Sequence, residues 1–217
     1  MKNTIKKASD YIISQYNANS YSTCFDNSDN MKYLTIGLKS EAGELYDPLK
    51  KIYRESVGVN EVYFSAEIIK SLVLEIGDCF WYLVNIARHL NLIDECFAGI
   101  SNHLDHKFSI SINYYLERQI LNLDLSNNDI FEENIDKLES VFDFIMAEAL
   151  SFKNAYKEGF SFLSKKQLVH KIQSIYVYLL LICMMISSDP VYVMKQNTAK
   201  LHDRKKRNVI NGSGGYR

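Results

Sequence analysis

LVLEIGDCFWYL, residues 72–83, decides how this chain is read. Apolar residues fill the stretch at helical spacing, and Glu75 and Asp78 are the only charges inside it. A second acidic pair, Glu41 and Glu44, lies in SEAGEL at 40–45. Both pairs are written E-x-x-(E/D), a spacing that puts two carboxylates on one helix face, one turn apart. Four carboxylates facing each other across two helices repel unless a cation lies between them. Hard divalent ions, Mg²⁺ above all, take oxygen ligands of this kind. Leu45, Leu74, Ile76 and Phe80 crowd the acids. An unpaired charge in such surroundings is costly, so these acids need metal or basic partners.

Working outward, helix signals cover about 3–17, 31–54, 65–91, 101–119, 132–157, 165–186 and 190–206. Proline occurs only at 48 and 190, and no alternating apolar–polar run suggests a strand. The polar stretches 17–30 and 124–131 read as loops, and NVINGSGGYR at 208–217 as a glycine-rich tail. The expected class is all-α, as one domain over 1–217. LVLEIGDCFWYL also aligns without gaps on LVHKIQSIYVYL at 168–179, matching Leu72, Val73, Ile76, Tyr82 and Leu83 to Leu168, Val169, Ile172, Tyr178 and Leu179. Upstream, SEAGELYDPLKK aligns on AEALSFKNAYKE at 147–158. Glu41 then falls on Glu148, but Glu44 falls on Ser151, Glu75 on Lys171 and Asp78 on Ser174. The second half keeps the apolar pattern and loses three of the four acids. A tandem, partly degenerate repeat of helical hairpins follows, with a four-helix-bundle core and additional helices. Residues 1–97 hold the intact acids, and 98–217 the degenerate half and a C-terminal segment.

The bulk numbers narrow the class further. With 47% hydrophobic residues the chain can bury a sizeable core, and a net charge of −1 gives no general nucleic-acid footprint. Cys24, Cys79, Cys96 and Cys183 show no C-x-x-C spacing and read as buried thiols of a reducing, cytoplasmic setting. The N-terminal residues lack the apolar core of a signal peptide. IYVYLLLICMMI at 175–186 is shorter than the roughly 18 residues a membrane span needs, so it reads as a buried helix and no membrane partner is expected. No G-x-x-x-x-G-K-(S/T) is present, which excludes a P-loop enzyme.

GLKSEAGELYDPLKK followed by LVLEIGDCFWYLVNIARHLNL resembles the MazG-type all-α nucleoside triphosphate pyrophosphohydrolases, which carry E-x-x-E and then E-x-x-D on adjacent antiparallel helices. NTAKLHDRKKRNVINGSGGYR resembles the C-terminal segment of phage-type MazG-like proteins, and the repeat is similar to the arrangement of the related dimeric dUTPases. The resemblance implies Mg²⁺-dependent hydrolysis of (deoxy)nucleoside triphosphates to a monophosphate and pyrophosphate, with Mn²⁺ as a substitute ion, in nucleotide-pool control or housecleaning. It assigns Glu41, Glu44, Glu75 and Asp78 as metal ligands. Glu41 or Glu44, with Glu44 favoured, takes the proton from the attacking water. A triphosphate carries about four negative charges, and bound Mg²⁺ neutralises it while activating a water. Metal binding should weaken as pH falls. Lys50 and Lys51 after the first acid pair, and Asn197, Lys200 and Arg204 on one face of the last helix, are the expected phosphate and nucleotide contacts. Asn85, two turns beyond Asp78, is a further candidate for sugar or base. The chain is expected to act as a monomeric pseudo-dimer or a homodimer.

The sequence departs from that pattern in three places, one of them the tail, which reads GSGGYR where the family often carries an acid after the second glycine. Thirty residues separate Glu44 from Glu75, slightly more than the family carries, which implies a longer loop around ESVGVNEVY. Pro48 should bend or restart the helix near 47–48, just past the first acid pair. Two other classes remain open beside the enzyme: a nucleotide-binding regulator that has lost catalysis, and a structural helical protein whose acids are solvated.

Overall fold

The computed structural model describes residues 2–24, 30–55, 65–98, 100, 131–160, 162–207 and 209, and every regular element among them is helical. The elements are α1 (Lys2–Tyr11), a π-helical turn (Ile12–Tyr16), α2 (Asn17–Ser22), α3 (Met31–Glu44), α4 (Tyr46–Glu55), α5 (Ala66–His89), α6 (Ile93–Phe97), α7 (Phe131–Lys157), α8 (Lys165–Met185) and α9 (Pro190–Lys206). The expected helix at 101–119, the loop around ESVGVNEVY, and most of the 124–131 loop and of the C-terminal tail lie outside the described residues.

Local chemistry sets the helix ends. Asn30 caps α3 by accepting from the Tyr33 N–H (2.8 Å), and Ser65 caps α5 by accepting from Ile68 (3.2 Å). Ser164 and Gln167 form a reciprocal capping box on α8. Asp189 caps α9, with Pro190 at its first turn where a missing N–H costs nothing. The Asp189 carboxylate also takes Lys7 at 2.6 Å, tying α9 to α1.

α5 is the central helix. It packs on α2, α3, α4, α6, α8 and α9, and its residues are buried on nearly every side. α3 packs on α5 and α7; α8 packs on α7 and α5. One contiguous apolar cluster runs through α3 to α9 and reaches α1 and the π-helical turn. α8 has the length and apolarity of a membrane span, but most of it is buried against its neighbouring helices.

The expected break near Pro48 falls at Leu45, between α3 and α4. Pro48 sits in the first turn of α4, where its absent N–H has no intrahelical partner to lose. Residues 17–22, expected as loop, are helical. Their polar composition hides a docking contact: the Trp81 indole N–H is shared between the Ser20 carbonyl (3.1 Å) and the Thr23 hydroxyl (2.9 Å), and both residues are buried.

Gly77 lets α9 approach α5. A Cβ at Gly77 would lie 2.9 Å from Asn197 Cβ and 3.5 Å from the Val193 carbonyl oxygen. Alanine gains about 1 kcal/mol of helix propensity, but overpacking costs about 1–3 kcal/mol, and the contact is with a side-chain stem next to backbone. Gly77→Ala should therefore lower the Tm by up to about 8 °C in a thermal melt followed by circular dichroism. A raised Tm would show that the two helices have room to spare.

Candidate metal centre

Three acids from two helices converge. Glu41 of α3 and Glu75 and Asp78 of α5 each offer a carboxylate oxygen, all within 4.8 Å of one another. Glu75 is buried, and Glu41 and Asp78 are half-buried. The E-x-x-D spacing puts Glu75 and Asp78 on the same face of α5, and the packing of α3 against that face brings in Glu41. Glu44, at the last position of α3, is not part of this group of three.

Asp78 is held from α9. Its Oδ1 accepts from Asn197 Nδ2 at 2.7 Å, and its Oδ2 is paired with the Lys200 ammonium. Lys200 and Asp78 are each 18% exposed, so this pair is screened less than a surface bridge. Asn197 is fully buried, and its Oδ1 accepts from the Tyr16 hydroxyl at 2.9 Å.

The electrostatics follow from the crowding. Burial pushes the Glu75 carboxyl up to about 7; Asp78 and then Asp47 add to the rise, while Lys200 and Lys51 oppose it. The Cys79 thiol is pushed well up, by burial first and then by Glu41, Asp78 and Glu75, so it stays protonated beside the acids. An ion bound at about 2.1 Å spans about 4.2 Å between opposite oxygens, and calcium about 4.8 Å. Carboxylate oxygens within 4.8 Å of one another are close enough to share one such ion. An all-oxygen set with surplus negative charge fits a hard divalent ion.

The remaining expected site residues are placed as follows. Lys51 of α4 is exposed yet near enough to Glu75 to influence it, while Lys50 is exposed and pairs with Asp47 at 2.6 Å. Arg204 lies one turn beyond Lys200 on α9 and is partly exposed. Asn85 is fully buried; its amide donates to the Trp81 carbonyl (2.8 Å) and accepts from Arg88 (2.6 Å). That amide is engaged within the protein, away from the acids. Two residues that sequence reasoning passed over stand at the site. Asp47 contributes to the charge felt by Glu75, and Tyr16 reaches Asn197 from the π-helical turn. Asp47 is three residues beyond Glu44, and that spacing was the one signal for it.

No family model matches the sequence, and no solved structure matches it. A curated relative, the "Gene 37 protein" of Mycobacterium phage L5, is 36% identical over 67 residues, which is 31% of this chain and 55% of that protein. The chain thus spans about half the length of the curated relative it matches.

Proposed function

We propose that this protein is a Mg²⁺-dependent nucleoside triphosphate pyrophosphohydrolase of the MazG type. One observation carries the reading: Glu41 converges with Glu75 and Asp78, and Lys200 of the C-terminal segment reaches the same cluster. Those are the residues that the resemblance assigns to metal and phosphate. Glu41, Glu75 and Asp78 would hold the ion, which supplies charge neutralisation and an activated water when bound. Lys200 and Lys51 bring positive charge to the same face for the triphosphate. Glu41, the half-buried acid that α3 brings to the group, is the one assigned to receive a proton from the attacking water.

The same reading takes α3–α5 and α7–α8 as tandem copies around a four-helix core. Two matched contacts support it. Lys171, aligned with Glu75, donates to Glu148 (3.2 Å) and Ser151 (2.8 Å), which are aligned with Glu41 and Glu44. Gly37 lies against the Tyr82 ring, and its aligned counterpart Phe144 stacks on Tyr178, the counterpart of Tyr82. In the second half an ammonium takes the place that an ion would take in the first.

The position of Glu44 outside the group of three favours a second reading, a metal-dependent nucleotide sensor without turnover. Pyrophosphate release from a panel of common and modified dNTPs and NTPs, with Mg²⁺ and with Ca²⁺ as control, separates the two. Turnover of one group of nucleotides, lowered by about a hundredfold or more in Glu41→Gln, is the expected result. Nucleotide binding without any release of pyrophosphate would leave the sensor.

A further inference from the structure

Asp78 is the end of a buried chain of hydrogen bonds drawn from three distant segments. Tyr16, in the π-helical turn, is wholly buried and stacks on Tyr11 with ring centroids 6.1 Å apart. Its hydroxyl lies 2.9 Å from Asn197 Oδ1, and Asn197 Nδ2 lies 2.7 Å from Asp78 Oδ1. The Gly77 carbonyl is a weaker second acceptor for the same hydroxyl at 3.5 Å.

The direction of this chain is fixed by chemistry. An ionised carboxylate only accepts, so the amide must turn its NH₂ toward Asp78. Its carbonyl oxygen then faces Tyr16, which must donate. Burial first, and the Asp78 charge next, push the Tyr16 hydroxyl well above its ordinary range, so it remains a donor. A simple core contact has no need of such an arrangement. Three polar groups in an apolar interior add little net stability over apolar residues of the same shape. What the chain does achieve is a single orientation for the Asp78 carboxylate. With Oδ1 committed to Asn197, Oδ2 is the oxygen left to face a cation, and Lys200 is paired with that oxygen.

We propose that Tyr16 is a positioning residue for the metal centre. It orients Asn197, and Asn197 presents Asp78 Oδ2 to the ion. Asn197 thus acts on the metal ligand and not on the nucleotide. The inference rests on the metal-centre reading above, and its test keeps the two apart.

The experiment uses the full chain, wild type, Tyr16→Phe, Asn197→Ala and the double variant, with asparagine ¹⁵N-labelled. Two quantities are read: Mn²⁺ affinity, and solvent exchange of the Asn197 side-chain amide by NMR. Tyr11→Phe, which touches the Tyr16 ring but not the chain of bonds, is the control. Tyr16→Phe keeps the ring, so helical content should be retained. Mn²⁺ affinity should fall by about tenfold or more, the range for losing a residue that orients a ligand. The Asn197 amide should exchange faster in Tyr16→Phe, Tyr11→Phe should behave as wild type, and the double variant should bind Mn²⁺ no worse than Asn197→Ala alone. If Tyr16→Phe binds Mn²⁺ as wild type does and its Asn197 amide stays protected, the proposal is overturned. If wild type itself binds no Mn²⁺, the metal reading fails, and amide exchange alone decides whether Tyr16 orients Asn197. If Tyr16→Phe loses structure, Asn197→Ala becomes the deciding variant: unchanged Mn²⁺ affinity there overturns the proposal.

Discussion

Asp78→Asn should weaken divalent-metal binding by more than about a hundredfold, beyond the loss of a residue that merely orients a ligand. Asp78 stands where α5 meets α9, and its two oxygens take Asn197 and Lys200. The amide that replaces it has the same shape, and its oxygen still accepts from Asn197, so the helices should stay packed. What disappears is one of three carboxyl groups whose oxygens lie within 4.8 Å. Lys200 then remains near Glu75, and its ammonium neutralises part of the charge that is left. The counterpart is Lys200→Met. It removes the protein cation that competes with the ion for Asp78, so Mn²⁺ alone should bind as tightly as in wild type or more tightly. Nucleotide binding should weaken, because the phosphate contact is gone. Calorimetric titration with Mn²⁺, with and without a non-hydrolysable nucleotide, reads both variants. If Asp78→Asn keeps Mn²⁺ affinity within about threefold, the metal centre is misassigned.

The difference between what could and could not be read in the sequence is physical. α5 was legible because apolar residues fill 72–83 at helical spacing and Glu75 and Asp78 are the only charges inside that stretch. The break after Glu44 was legible, to within three residues, from one proline. The convergence of Glu41 with Glu75 and Asp78 followed from spacing, once the helices were taken as neighbours. Contacts made by long-range packing were not legible. Tyr16 reaches Asn197 from a π-helical turn, a local departure from the helical period that an apolar pattern does not reveal. Gly77 lets α9 close on α5, but glycine inside a helix reads as well for a weak spot as for a close approach. Asn85 does stand two turns beyond Asp78, yet α5 changes neighbours along its length. At 75–78 it meets α3 and α9; at 85 it meets the segment holding Cys24, whose thiol lies 3.6 Å from the Asn85 oxygen. A shared helix face is a shared site only while the same partner lies against it.

Metal affinity should also rise steeply with pH and then level off. Burial, with the Asp78 charge second, holds the Glu75 carboxyl up at about 7, so below that pH the group carries a proton in the metal-free protein. An ion must displace that proton before Glu75 can bind it. Well below about 7 each pH unit therefore costs one factor of ten, about 1.4 kcal/mol, and the fall from the high-pH plateau to pH 5 is about a hundredfold. Above about pH 8 the carboxylate is already ionised, and affinity should stay level. The sign is that of any acid whose pKa is raised: the protonated form gains at low pH and the metal-bound form at high pH. Glu75→Gln should bind the ion weakly but with a flat profile over the same range, because the group that titrates is gone. The ion should be titrated without nucleotide, whose terminal phosphate loses a proton at about pH 6 and would mask the protein's own inflection. A midpoint near the ordinary carboxylate value, in place of about 7, would mean that Glu75 meets the ion already ionised and that its burial is not what controls the site.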